Sequence, residues 1–204
     1  SLRNTGLPIV TVTGKDGQAP YSKATDFDDI EGTFTVNIDG VDYSAGVRLR
    51  GNTTQEFPKK PYAIKLDKKA SILGMPTHKR WVLLANWLDH SMIRNAVAFD
   101  IAHAIDSAWM EHKTTATATE YIGDGIPWNV HGQHVELVVD GHHVGNYYLC
   151  EQIKIDGNRL DIKDPYNAED NPAAFADCGY LLEFDMKEDS DIKYTTSNGA
   201  WVKF

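Results

Sequence analysis

The run Arg50-Gly51-Asn52, with two threonines after it, carries residue types that can bind phosphate groups. Glycine lets the backbone come close to a ligand, so backbone amides here could hold phosphate oxygens beside the Arg50 guanidinium. The run follows neither the Walker pattern nor the glycine-rich loop pattern of kinases. A polar turn between two strands explains the same residues, and both interpretations stay open.

Lys65 is the second candidate, because it lies in the alternating segment 62–66, which predicts a half-buried strand. A lysine on such a strand can reach phosphates as a point charge, and the alternative is an exposed lysine on the polar face. Two nearby segments can position it. A fully apolar strand is predicted at 81–85, and a helix is predicted at about 91–105.

A helical wheel of 91–105 places Asp100 within the apolar arc formed by Ile93, Val97 and Ile101. We therefore expect its carboxylate to be buried, which costs free energy unless the carboxylate pairs with a cation or accepts hydrogen bonds. Our hypothesis is an ion pair between Lys65 and Asp100. Arg50 or Arg94 could form the ion pair with Asp100 instead.

Polar residues also cluster where the predicted strand 81–85 leads into the helix, namely Asn86, Asp89, Arg94 and Asn95. Asp89 suits a helix N-cap and the positive end of the helix dipole. Arg94 lies at the edge of the apolar arc and is a candidate for phosphate binding. The alternative is that the cluster only links the strand to the helix.

Glu183 and Asp185 head the acidic stretch 183–191. A solvated loop is the default interpretation of such a stretch, and coordination of a divalent ion by these two carboxylates is the alternative. The i, i+2 spacing places both on one face of a strand, which does not bracket a sugar ring as glycoside hydrolysis requires.

The bulk composition excludes several classes of function. With 20 Lys and Arg against 29 Asp and Glu, the formal net charge is −9, which argues against nucleic-acid binding as the main task. No apolar run has the length of a membrane span. Cys150 and Cys178 match neither a disulfide framework nor a zinc site, so either two free thiols or one disulfide is expected.

The elements predict an α+β fold, with an antiparallel, β-rich sheet built from hairpins and one main helix at about 91–105. Asp39-Gly40 and Asp140-Gly141, each between alternating segments, are strong hairpin signals. The chain begins at Ser1 and stops within the strand-like run 201–204, so we predict one truncated domain over 1–204. Its core is expected at 7–153, followed at 154–204 by a loop and the start of the next part.

An ordered set of motifs resembles the spore coat protein H (CotH) kinase family over about residues 7–190. The motifs are Arg50–Thr54, Lys60–Leu66, Leu73–Pro76, Trp81–Asn86, Asp89 with Arg94 and Asn95, Val135–Gly141, Gly145 with Tyr148 and Leu149, Glu151–Ile153 and Gly179–Asp185. Each motif alone is weak, and their fixed order makes the resemblance specific.

The resemblance implies an atypical protein-kinase-like fold that binds ATP and Mg²⁺ and phosphorylates proteins on serine. It implies that 7–153 is the nucleotide-binding N-terminal lobe, with Glu151 at the hinge that offers backbone groups to adenine. It also supports Asp185 and Glu183 as metal ligands. The family's catalytic aspartates lie in later motifs that this sequence lacks, so we expect the chain alone to be inactive.

The partners implied are a protein substrate or the proteins of a coat or extracellular complex, with a location at the cell surface, outside the cell or in the spore coat. Two alternatives remain open at this stage. One is a non-catalytic assembly module that retains the kinase-like fold, and the other is a β-rich binding module with no nucleotide role.

Overall fold

The computed structural model describes residues 5–115, 128–162, 183–185, 193–195 and 201–203, with backbone alone at 108–115 and in the last three ranges. The chain divides into two compact units, Ser1–Ile153 and Lys154–Phe204. The second unit contains a three-stranded antiparallel sheet in the order β8-β10-β9. Its strands are β8 (Glu183–Asp185), β9 (Lys193–Thr195) and β10 (Trp201–Lys203).

The first unit is built on a closed barrel of seven strands in the order β1-β2-β3-β4-β5-β7-β6. Neighbouring strands pair antiparallel, except that β6 pairs parallel with β1 and so closes the barrel. The strands are β1 (Ile9–Gly14), β2 (Phe34–Ile38), β3 (Val41–Leu49), β4 (Tyr62–Ala70), β5 (His78–Leu84), β6 (Gly132–Val139) and β7 (His142–Glu151).

Alternation along the strands places the core inside the barrel. Val10 and Val12, Phe34 and Val36, and Ile64 and Leu66 belong to one buried cluster together with Trp81, Leu83 and Leu137. The residues next to these on the same strand point outward, because side chains alternate between the two faces of a sheet. Lys65 is therefore on the outer surface of the barrel.

Both hairpins expected from the sequence are confirmed. In the first, Ile38 pairs with Val41 across Asp39 and Gly40, whose φ angles are 48° and 91°. In the second, Val139 pairs with His142 across Asp140 and Gly141, at 46° and 79°. Two successive residues with positive φ match the twist of the flanking strands, and Asp-Gly tolerates this conformation.

The predicted fold class is wrong. The first unit is mostly β, with a closed mixed barrel and one α-helix among the described residues, and it is not an α+β kinase-like lobe. Closure depends on the parallel pairing of Ile9 with Glu136 and of Val12 with Val139. These partners lie far apart in sequence, and the alternation of each strand is the same whether its edge is open or paired.

The helix, α1, spans Arg94–Thr115, so it begins later and continues further than the predicted 91–105. Ala96, Phe99 and His103 face the barrel: Ala96 and Phe99 pack against an outer apolar cluster, and the Phe99 ring stacks on Tyr148 at 6.0 Å. The described part of the chain contains no helix with the length and apolarity that crossing a membrane requires.

The expectation that Asp100 is buried is wrong, since its side chain is exposed. The apolar arc that contained it is exposed as well, with Ile93, Val97, Ile101 and Ile105 between 45% and 62% accessible. The helix turns another face to the barrel, because the aromatic rings of Tyr148 and His131 meet Phe99 and His103 there.

Candidate functional site

A pocket of about 280 Å³ opens where the loop after β3 meets the loop after β5. Its polar lining is Arg50, Thr54, Lys59, Asn86, Asp89 and Asn95. The structure thus brings together two clusters that the sequence offered separately, the run beginning at Arg50 and the link between strand and helix. We call this cavity the Arg50 pocket.

Arg50 directly follows β3, and its backbone N–H donates to the Pro61 carbonyl at 3.2 Å. Its side chain is half-buried, and burial lowers the pKa of the guanidinium. Among the described residues, no ion pair or hydrogen bond engages the guanidinium. A desolvated cation that lacks a partner and borders a cavity favours an anionic ligand, because an anion would restore the interactions lost on burial.

Gly51 has a φ of 83°, and a Cβ at this position would lie 1.9 Å from Thr54 Oγ1. Both facts require glycine, the first for backbone strain and the second for space. Asn52 accepts a hydrogen bond from Lys23 Nζ, which ties the loop to the preceding connection. The Gly51 conformation and this contact both constrain the loop that carries Arg50.

Lys59 was missed in the sequence analysis. Its ammonium donates to the Ala85 carbonyl at 2.8 Å and to the Asn146 carbonyl, and lies 4.4 Å from the centre of the Tyr147 ring. Burial is the main reason that its pKa is lowered. Lys59 joins the approach to β4 with the end of β5 and the middle of β7. The available signal was a pair of lysines directly before a buried strand.

The cluster between β5 and α1 forms a hydrogen-bonded link. Asn86, at φ 48°, accepts through Oδ1 from Asn95 Nδ2 at 2.8 Å. Asp89 accepts from the Ser91 hydroxyl at 2.6 Å and from the Arg94 backbone N–H at 2.9 Å. These bonds, the Ser91 hydroxyl first, lower the pKa of Asp89. Asp89 therefore caps the helix, as its position in the sequence indicated.

Arg94 lies 3.5 Å from Asp89 (Nε to Oδ1), and its side chain is 82% exposed. An exposed pair of this kind contributes little to stability. These contacts agree with the structural interpretation of the cluster. A role for Arg94 in phosphate binding stays a prediction.

Lys65 pairs with Asp28 and not with Asp100. Asp28 belongs to a short 3₁₀ turn, Asp28–Ile30, in the connection before β2. The hydrogen bond from Lys65 is the first cause of the lowered pKa of Asp28. Lys65 is beside Arg80 on β5, and the Arg80 guanidinium lies 4.4 Å from the centre of the Phe27 ring. This outer surface is a second cationic region, and we call it the Lys65 face.

Glu151 ends β7 and is buried. Its Oε2 atom accepts from the His131 backbone N–H at 2.9 Å and lies 2.9 Å from His131 Nδ1. The His131 ring in turn lies 4.4 Å from that of His103 on α1. The Glu151 side chain thus joins the end of β7 to the residue before β6, and its predicted place at a hinge stays a prediction.

The two predicted metal ligands, Glu183 and Asp185, are on β8, and their side chains lie outside the described residues. Within the described ranges, no group of three or more His, Cys, Asp or Glu could hold a metal ion. Cys150 is buried, and Cys178 lies outside the described ranges, so the choice between two thiols and one disulfide stays a prediction.

A second cavity of about 300 Å³ adjoins the first and shares Lys59 and Trp87 with it. Its other lining residues include Lys60, Tyr62, Val144 and Tyr147. The Tyr147 hydroxyl donates to the Lys60 carbonyl at 2.8 Å, and burial raises the pKa of that hydroxyl. We call this cavity the tyrosine hollow.

A family model described as CotH kinase protein matches residues 47–202, well over half of the chain. No curated protein matches the chain. The match includes the Arg50 pocket, Lys65, α1 and β8, and it starts after β1 and β2. The resemblance in the ordered motifs is therefore confirmed. This chain belongs to the CotH kinase protein family.

Proposed function

We propose that this chain binds ATP, together with Mg²⁺, as the nucleotide-binding portion of a CotH-type protein serine kinase. The observation that carries the proposal is the Arg50 guanidinium, which is half-buried, has no described partner and borders a cavity. The family supports a nucleotide as the ligand.

The chemistry of the pocket suits phosphate. The guanidinium of Arg50 presents parallel N–H donors that can bind two phosphate oxygens together. Lys59 contributes a positive charge and a third N–H donor beyond the two that its carbonyl contacts use. The carboxylate of Asp89 would repel a bound anion, but the helix N-terminus and Arg94 offset the negative charge of Asp89.

The described residues do not include a set that fits magnesium. The proposal therefore assigns no step to the ion, and Glu183 and Asp185 stay as proposed ligands. The residues that transfer the phosphoryl group are expected in family motifs that this sequence lacks. The substrate in this proposal is a protein, and the proposed location is extracellular, at the cell surface or in the spore coat.

The test is ATP binding measured by calorimetry and by thermal unfolding. Ligand at about 100 times its dissociation constant should add about 2.7 kcal/mol to the free energy of unfolding. Arg50→Ala should weaken ATP binding at least about tenfold, since a hydrogen bond to a charged group contributes about 1.5–3 kcal/mol.

Lys68→Ala is the matched control, because it removes the same charge from an exposed position on β4. Equal weakening by both variants would mean that only the net charge matters. ATP binding unchanged in Arg50→Ala would rule out the Arg50 pocket as the phosphate site.

A second candidate function is a non-catalytic assembly module whose partners are coat or complex proteins. The exposed apolar face of α1 favours it, with Ile101 54% and Ile105 62% accessible. Ile101→Asp should then prevent association of the full-length protein with its complex while ATP binding stays unchanged. Association that survives this change would count against the module.

A further inference from the structure

We propose that the contact between α1 and the barrel is a pH-sensitive switch, in which the imidazole rings of His103 and His131 hold the helix in place only while one of them is uncharged. Acid protonates the second ring and releases the helix. The inference goes beyond the proposed function, because it does not depend on which ligand the Arg50 pocket binds.

The two rings meet between α1 and the barrel. The centres of the rings of His103, on α1, and His131, the residue before β6, lie 4.4 Å apart, and their planes are tilted by 34°. The other aromatic contact of the helix, Phe99 on Tyr148, stays neutral near pH 7, because burial raises the pKa of Tyr148 to about 12. Of these two ring pairs, only the histidine pair changes its charge between about pH 5 and pH 8.

Hydrogen bonds fix the first proton of each ring. An ionised carboxylate and a carbonyl oxygen can only accept, so the ring nitrogens that face them carry the hydrogens. These nitrogens are His131 Nδ1, at 2.9 Å from Glu151 Oε2, and His103 Nε2, at 3.1 Å from the Val130 carbonyl oxygen. The buried Glu151 carboxylate also favours a second proton on His131. The pair of rings therefore accommodates one positive charge, on His131.

A further proton, on His103, creates the conflict. Its ring faces the neutral Val130 carbonyl and the charged His131 ring, and a like charge at this distance disfavours the charged form. Separation of the helix removes the repulsion and hydrates the His103 ring. The separated state therefore binds more protons than the packed state, and linkage requires that the packing weakens as the pH falls.

The surrounding groups leave this balance in place. The other titratable groups on the elements that pack together here are Asp100 and Asp106 on α1, His134 on β6, and Tyr148 and Cys150 on β7. Asp100 is exposed, so water screens its charge, and Asp106 already accepts a hydrogen bond from Asn129. The His134 ring meets the Tyr148 ring at 5.1 Å, on β7 and away from the helix.

Release of the helix also reaches the Arg50 pocket. Asn95, on α1, lines the pocket, and its Nδ2 atom donates to Asn86 Oδ1 at 2.8 Å. Asp89, another lining residue, accepts from the Arg94 backbone N–H at the start of the helix. Both contacts join the pocket wall to the first turn of α1. Acid therefore loosens this wall together with the helix.

The experiment is hydrogen–deuterium exchange of the complete chain at several pH values, with each rate divided by the intrinsic rate at that pH. A helix separated from the barrel is marginal in water, so its amides lose protection. In wild type, the protection of residues 94–107 should fall about tenfold between pH 7 and pH 5, within the limit that one linked proton sets. The amides of β2 should keep their protection. His103→Gln should remove the pH dependence, because glutamine does not titrate and still offers an N–H donor to the Val130 carbonyl.

His142→Gln is the matched control, because it removes an exposed imidazole at the start of β7 and should leave the fall in protection as in wild type. His131→Gln tests the other ring and should also remove the pH dependence, and it carries the test if His103→Gln does not fold, as its melting temperature will show. Protection of α1 that is constant with pH in wild type would overturn the switch. The wild-type fall persisting in either folded variant would overturn it too, since another group would then be responsible.

Discussion

The Arg50 pocket and the Lys65 face both carry cations on the same barrel, but only on the Lys65 face does a described ion pair join one of these cations to a carboxylate. Lys65 pairs with Asp28, Arg48 donates to the Thr25 carbonyl, and the Arg80 guanidinium lies 4.4 Å from the centre of the Phe27 ring, with no ion pair or hydrogen bond among the described residues. In the Arg50 pocket, Lys59 donates to two carbonyls and keeps one N–H donor, and the Arg50 guanidinium has no ion pair or hydrogen bond among the described residues. The comparison teaches that a cation available to bind a ligand differs from a structural cation in its hydrogen-bond and ion-pair partners more than in its charge.

The largest effect is expected from Lys59→Met. The change removes the donor of the Ala85 and Asn146 carbonyls, and a buried acceptor left without a partner costs about 1–3 kcal/mol. We expect a loss of about 2 kcal/mol or more in the free energy of unfolding, measured in urea. Lys68→Met, at an exposed position, should cost little. Equal losses would mean that Lys59 does not hold the strands together.

Gly51→Ala should have an intermediate effect and can be compared with Gly74→Ala. Both glycines have positive φ, 83° and 80°, but a Cβ at Gly74 meets nothing within 4 Å. Gly74→Ala should cost about 1 kcal/mol for the backbone conformation alone. Gly51→Ala should cost more, because the Cβ also meets Thr54 Oγ1.

Urea denaturation of the two glycine variants measures this difference, and ATP titration should show weaker binding only for Gly51→Ala. Equal stability losses would indicate that Thr54 rotates away without cost. Unchanged ATP affinity in Gly51→Ala would separate the loop from the phosphate site.

Lys65→Met should have the smallest effect, and it sharpens the comparison between the two regions most directly. If the Arg50 pocket holds the phosphates, ATP affinity should stay within about twofold, which corresponds to about 0.4 kcal/mol. The predicted role of Lys65 in cofactor binding demands a large loss instead. A tenfold weakening would move the site to the Lys65 face.

The same variant has an expected pH signature. The pKa of Asp28 is lowered from 3.8, chiefly by its hydrogen bond from Lys65, so its carboxylate stabilises the fold above the unfolded pKa. This contribution is lost as the pH falls below about 4 and through the lowered folded pKa. In Lys65→Met, the decline in melting temperature between pH 5 and pH 3 should be shallower. An identical decline would show that the pair makes no contribution.

Local features of the chain were predictable from the sequence. The two Asp-Gly turns could be predicted because Asp and Gly tolerate positive φ. Each turn also lies between short segments in which apolar and polar residues alternate. The helix cap at Asp89 could also be predicted, because its hydrogen-bond partners lie within five positions of it in the chain. The ordered motifs identified the family for a similar reason, because they are short and read directly from the chain.

The candidate site was predictable only in part. Arg50 and Gly51 stood out by residue type, and the structure places Arg50 at a cavity. Lys59 did not stand out, because its importance comes from carbonyls on two distant strands. Trp87 was hidden for a related reason. Its residue type gives no indication of whether a ring becomes core or stays exposed between two cavities.

By itself, the sequence determined the family, the hairpins and the alternation that fills the barrel interior. Only the tertiary structure decided that β1 meets β6, that α1 packs through Phe99 and His103, and that Lys65 pairs with Asp28. Each of these contacts joins residues far apart in the chain. A residue's local pattern fixes its backbone conformation and the face it occupies, whereas its partner depends on the packing of the whole unit.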